Sequence, residues 1–196
     1  MNLEKIVSDL NFISGREKTK TENVTLDVGA VEGVRGDEYE IALIDRGFDL
    51  KMPFVLNNEI SQVVRSLFNP ELGKGKNAVC IFDWVVKNIK YGERRRGRQG
   101  YRNSVEVFRD REGVCGEMAT LYLVMIRTIG LRGSFVNVDV DYTGKRVNHA
   151  CAMIDLSGRY GGSTLVDPAY RSYDVAHNRV KPLTDFEIFK MFNKWN

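Results

Sequence analysis

From Cys115 to Ile129 the sequence reads CGEMATLYLVMIRTI, and Met118, Ala119, Leu121, Tyr122, Leu123, Val124, Met125, Ile126 and Ile129 leave it almost no polar face. A run of this length suits a helix, and a helix that is apolar all round has to be enclosed by protein. Any fold for this chain must therefore wrap other elements around that helix. Gly130 stops it. Beyond it Val136, Val138, Val140 and Tyr142 alternate with Asn137, Asp139 and Asp141, which predicts a strand with one wet face. TGKR supplies a turn, residues 147–156 are apolar on both faces, and SGRYGG leads into a strand over 163–167. The sequence thus predicts three consecutive antiparallel strands behind a buried helix.

Upstream, Ala78, Ile81, Phe82, Val85, Val86 and Ile89 recur at helical spacing, with Val79, Cys80 and Trp84 widening the stripe, and this helix should end near Tyr91. A shorter helix, capped by Asn57 or Asn58 and closed by Pro70, carries Ile60, Val63, Val64, Leu67 and Phe68. Near the N-terminus Leu3, Ile6, Val7, Leu10 and Ile13 predict an amphipathic helix before Gly15, and 24–28 and 39–44 predict two strands around the Gly33/Gly36 turn. The segment GERRRGRQGYRN is polar and glycine-punctuated, the pattern of a mobile surface connection.

With 196 residues and an apolar fraction of 43%, one domain with a substantial core is the default. Lysine and arginine number 29 against 26 acidic residues, a net charge of +3 that points to neither a nucleic-acid nor an anionic-membrane partner. The first residues lack the pattern of a signal peptide, and no stretch approaches about 20 apolar residues. Cys80, Cys115 and Cys151 are an odd count without a CxxC pair, which suits a reducing compartment, and a cytoplasmic location is expected.

The residues able to carry chemistry fall at the junctions of the predicted elements. Cys115, in GVCGE, opens the buried helix, where unpaired backbone N–H groups and the helix dipole favour an anion. A thiolate there could attack a carbonyl, with a first-turn N–H facing the developing oxyanion. Most free cysteines are merely small buried hydrophobes, but Gly113 and Gly116 beside this one allow a tight turn and a close approach that a core cysteine does not need. His149 interrupts the apolar strand VNHACAMI. Alternation puts His149, Cys151 and Met153 on one face and Ala150, Ala152 and Ile154 on the other, where a helix can pack closely. Asp167 ends the run STLVD before Pro168, a position where a carboxylate could orient the imidazole or simply serve turn chemistry.

The runs FDWVVKNIKYG, SVEVFRDREGVCGEMATLYLVMIRTIGLRGSFV, NHACAMID and LVDPAY resemble the transglutaminase-like superfamily of papain-type folds, over roughly residues 75 to 175. The resemblance implies an α+β fold: a central helix starting at the nucleophile and packed on an antiparallel sheet. It implies Cys115 as nucleophile, His149 as base and Asp167 as the acid that orients it. It also implies amide or peptide chemistry through a thioester acyl-enzyme, resolved by water (protease, amidase or deamidase) or by an amine (transglutaminase-type acyl transfer). On this reading residues 1–196 form a single domain, with 1–70 an N-terminal extension and 75–196 the catalytic core. The substrate would be a peptide or protein. For the oxyanion hole, Tyr91, Gln99, Tyr101 and Asn103 are candidate donors.

Three other readings compete. Cys115, His149, Cys151 and His177 are zinc-binding types, but the short-loop spacing of structural zinc is missing, so no metal or cofactor is expected. His177, in polar YDVAHNR, reads as a solvated surface histidine, and Glu117 as a first-turn acid complementing the helix N-terminus. Arg94, Arg95, Arg96 and Arg98, with Tyr91 and Tyr101 nearby, could bind nucleic acid; charge runs are more often solvated loops, and these arginines better suit a cleft favouring acidic peptides. Finally, the fold could persist without catalysis, as a peptide-binding module.

Overall fold

The structure is a computed structural model that describes residues 52–92, 101–156 and 162–195. The N-terminal helix and hairpin expected from the sequence, Gln99 and the Arg94–Arg98 run lie outside the described residues. The elements run α1 (Asn58–Leu67), α2 (Gly73–Asn88), β1 (Lys90–Tyr91), α3 (Ser104–Asp110), β2 (Glu112–Gly113), α4 (Cys115–Thr128), β3 (Gly133–Val140), β4 (Arg146–Asp155), β5 (Ser163–Asp167), β6 (Ser172–Tyr173), β7 (Arg179–Leu183) and α5 (Asp185–Trp195).

Helix α4 is the predicted enclosed helix, and every residue from Gly116 to Ile126 is buried. Its surroundings explain how so apolar a segment is accommodated. Ile60 and Val64 of α1, Ile81, Phe82 and Val85 of α2, Val107 and Phe108 of α3 and Ile188 of α5 share one core with it. The sheet closes the remaining side through Phe135, Ala150, Ala152, Ile154 and Val166. Ala150 and Ala152 supply the small surface on which α4 packs closely, as alternation predicts. Gly130 ends the helix at φ 71°, a left-handed conformation that glycine adopts at no steric cost.

The sheet has the order β6-β5-β4-β3-β7 and its pairs are antiparallel. Its register pairs Val138 with His149, Val136 with Cys151 and Phe135 with Ala152. Residues paired across an antiparallel ladder share a face, so Val136, Val138 and Cys151 point away from α4 into a second cluster with Leu165 and Val175. The expectation of a wet face on β3 is corrected: Phe135 belongs to the core beneath α4, and Asn137 lines a cleft there. Only Asp139 of that face is exposed.

Two helices differ from the hydrophobic pattern. Helix α2 starts at Gly73, five residues before the first apolar position, because its polar first turn does a different job. Buried Asn77 there accepts from Asn69 N at 2.8 Å and donates to Asn69 O at 2.7 Å, clamping the link from α1. Helix α3, absent from the hydrophobic reading, is short and opened by a capping box in which Asn103 accepts from Glu106 N and Glu106 accepts from Asn103 N, each at 2.9 Å.

Candidate active site

Short parallel pairing of β1 with β2 sets Tyr91 opposite Gly113 and so beside the start of α4. Gly92 N–H donates to Gly113 O at 3.1 Å, which fixes this register. At the helix terminus Glu117 forms half a capping box: its carboxylate accepts Val114 N–H at 3.0 Å, while Val114 offers no side-chain acceptor. The expected first-turn role is therefore present, with a partner the sequence did not announce. Glu117 also accepts Arg102 N–H and Arg102 Nη2, both at 2.8 Å, and Arg102 reaches Asp110 at 3.2 Å. This buried pair neutralises the acid next to Cys115 and fastens the 101–103 segment against the helix.

The two glycines beside Cys115 act through space rather than through backbone freedom, as neither has a positive φ. A Cβ on Gly113 would meet Val107 at 3.1 Å and Met118 at 3.3 Å, and one on Gly116 would meet Phe135 at 3.3 Å. The first is a packing requirement. The second keeps the cleft beside the thiol open.

Strand β5 ends at Asp167 while β4 extends the other way to Arg146, so His149 sits where β4 still pairs with β3 but no longer with β5. Its Nε2 lies 2.6 Å from Asp167 Oδ2. Asp167 is fully buried, and its Oδ2 also accepts from His177 Nε2 at 3.1 Å, while Oδ1 accepts Tyr170 N–H at 2.9 Å. Burial alone would raise this carboxyl, but the hydrogen bonds from His149 and His177 outweigh it and hold Asp167 below its usual range. An ionised carboxylate only accepts, so both Nε2 atoms carry hydrogen and His149 Nδ1 is the nitrogen left to serve Cys115. Burial pulls the His149 cation down, but hydrogen bonds with Asp167 and Cys115, and their charges, lift the ring to about 9. Cys115, His149 and Asp167 are thus brought together.

His177 is a correction. Expected at the surface, it is 4% exposed and completes Asp167. A polar local sequence conceals it because β6 and the turn before β7 fold back over the end of β5. Tyr170, two residues past Pro168, stacks on the His149 ring at 4.3 Å between centroids and 15° between planes. The Asp-Pro turn and the histidine partner, alternatives in the sequence, coexist in one residue.

Among the oxyanion candidates, Asn103 is occupied as the α3 cap. Tyr101 lines the cleft next to Gly116. Tyr91 is 60% exposed, and its hydroxyl is raised by partial burial, by the charges of Cys115 and Asp167 and by a hydrogen bond with Cys115, so it stays protonated as a donor.

Among the described residues, His149, Asp167 and His177 hold metal-ligating atoms within 4.8 Å of one another. A tetrahedral ion with bonds of about 2.1 Å would separate its ligand atoms by roughly 3.4 Å. The 2.6 Å His149–Asp167 contact is too short for that and is a hydrogen bond. Cys151, the remaining zinc candidate, is buried, and burial pushes its thiol well up, with the charges of Asp167 and Cys115 adding to it.

The sequence of residues 61–162 matches the family model of the transglutaminase-like superfamily. The chain belongs to that superfamily, and its helix-on-antiparallel-sheet architecture is the papain-like α+β core of the family. Solved structures with likeness to it include the "putative cysteine protease" of Cytophaga hutchinsonii (13% identity, TM-score 0.44, covering 69% of this chain and 49% of that one). A "putative protease" of Parabacteroides distasonis (15%, 0.39, 60% and 27%) and EGTA-treated LapG of Legionella pneumophila (10%, 0.48, 93% and 80%) are others. The chain spans about half the length of the first and about a quarter of the second. No curated protein matches it.

Proposed function

We propose that this protein is a cysteine-nucleophile enzyme that cleaves or transfers at amide or peptide bonds, with Cys115, His149 and Asp167 as its triad. The observation that carries the reading is the His149 ring, lifted to about 9 between Cys115 and a buried carboxylate 2.6 Å away. A ring so placed can take the Cys115 proton as the sulfur attacks and hold it for the leaving group.

The thiolate sulfur forms a bond to the carbonyl carbon, and the C=O electron pair moves onto oxygen. First-turn N–H groups of α4 and the Tyr91 hydroxyl are the donors for that oxyanion. The C–N bond then breaks as imidazolium His149 gives its proton to the leaving nitrogen, leaving a thioester and a neutral ring. Water or an amine, deprotonated by His149, attacks the thioester and releases Cys115. Throughout, Asp167 fixes the ring through Nε2 and stabilises its cation.

Alkylation by iodoacetamide near neutral pH, mapped by mass spectrometry, tests the nucleophile. Cys115 should react well ahead of Cys80 and Cys151, and the advantage should disappear in His149→Ala. Equal slow labelling of all three would refute the assignment. Peptide-library turnover with and without added amine then separates hydrolysis from acyl transfer, and peptide binding without turnover would identify a binding module instead.

A further inference from the structure

A cleft of about 300 Å³ opens directly from Cys115 and His149 into the gap between α4, the sheet and α5. Its volume is at the small end for ligand pockets and suits one large side chain rather than a whole ligand. The far wall is apolar: Phe135 from β3, and Ile188, Met191 and Phe192 from α5. The charged residues in the wall, Arg102 and Glu117, are committed to each other at 2.8 Å, and the Thr120 hydroxyl donates to Gly116 O at 2.8 Å. The other polar residues of the lining include Asn137, paired with Ala150 across the ladder, and Asn148, two residues before it on β4.

This distribution has a definite consequence for what enters. A charged side chain would lose its hydration against Phe135, Ile188 and Phe192 without gaining an opposite charge, since the nearest ones already form a pair. A small side chain would leave the cleft partly empty and bury little apolar area. The Asn137 and Asn148 amides suit the backbone on either side of the inserted residue. We propose that the cleft is the specificity pocket of the enzyme and takes a large apolar or aromatic side chain, leucine or phenylalanine in kind, from the acyl portion of a peptide substrate. The proposal rests on the cysteine chemistry above. It selects among the reactions open to that chemistry, favouring cleavage of a backbone peptide bond beside an apolar residue over attack on a glutamine side chain.

The test uses acetylated dipeptidyl acyloxymethyl ketones, identical except for the residue that precedes the electrophile: Phe, Leu, Gly, Asp, Lys or Gln. The rate of covalent labelling of Cys115 in the full chain is read by intact mass and peptide mapping. Phe and Leu probes should label at least about tenfold faster than Gly, Asp and Lys probes. In Met191→Lys, a half-buried position on the pocket wall, the Asp-to-Phe rate ratio should rise by at least about tenfold, and a ratio is insensitive to a uniform loss of folded protein. Equal labelling by all six probes, or an unchanged ratio in M191K, overturns the pocket while leaving the nucleophile standing. A Gln probe fastest of all overturns the apolar preference. Cys115 left unlabelled by every probe and by iodoacetamide removes the cysteine chemistry and the pocket with it.

Discussion

Asp167 divides its two oxygens between structure and chemistry: Oδ1 holds the turn through Tyr170 N–H, and Oδ2 receives both histidines. Because the carboxylate contributes both a hydrogen bond and a charge to His149, its removal leaves burial, which acts in the opposite direction, opposed by Cys115 alone. The sign follows for pH dependence. A ring raised from 6.5 to about 9 in the folded protein contributes stability that is fully present below 6.5 and lost as pH rises through about 9. On the proposed chemistry, kcat/KM should fall on the alkaline side with an apparent pKa near 9, when the imidazolium needed to protonate the leaving group is gone. In Asp167→Asn that alkaline limb should move toward neutrality, and the rate should drop by up to about 10⁴-fold as the ring loses its orienting acceptor. A pH–rate profile of both proteins checks this; an alkaline limb unmoved in D167N would show that the carboxylate does not govern the ring.

At the scale of elements, close approach of α4 to the sheet determines what each position tolerates. Gly133 opens β3 where a Cβ would meet Met153 O at 2.8 Å, Leu123 Cδ2 at 2.9 Å and Ile126 Cδ1 at 3.0 Å. The first of these is backbone in the neighbouring strand and cannot rotate away. Gly133→Ala should therefore destabilise by about 1–3 kcal/mol through overpacking, read as a lower midpoint in urea; an unchanged midpoint would mean that the helix sits less tightly on the sheet than these distances imply. The central helix and the three strands behind it were legible because each writes a strong apolar period; Cys115, His149 and Asp167, which the structure sets side by side, stood out because they interrupt those periods. Helix α3 was written in caps rather than in apolar spacing, and Asn103-x-x-Glu106 was the available signal. His177 was not legible: its burial depends on β5 pairing with β6, a non-local contact that leaves no trace in YDVAHNR. The apolar side of α5 was equally silent about its destination, since amphipathicity shows that a helix packs but not which cleft it completes.

At the scale of the molecule, one arginine joins four parts of the chain. Arg127, near the end of α4, grips Asp185 at the start of α5 with two contacts of 2.8 Å, donates to Gly133 O at 2.7 Å and lies 4.7 Å from the centre of the Phe54 ring. Its side chain and that of Asp185 are 8% and 5% exposed, so water cannot replace a lost partner. Arg127→Met should cost about 3–5 kcal/mol because it takes the guanidinium away from a buried carboxylate. That is a large share of the roughly 5–15 kcal/mol that holds most domains together. The double variant Arg127→Met/Asp185→Leu should recover much of the loss, since both charges then leave the interior together. Guanidinium unfolding of the three proteins decides the matter, and a double variant no more stable than R127M would mean that the arginine acts through Phe54 and Gly133 rather than through the ion pair. Because Asp185 anchors the helix that supplies Ile188, Met191 and Phe192 to the cleft, the same lesion has a second, separable effect. In R127M that remains folded, the preference for apolar probes should weaken more than the reactivity of Cys115 itself, whose position depends on the opposite end of α4.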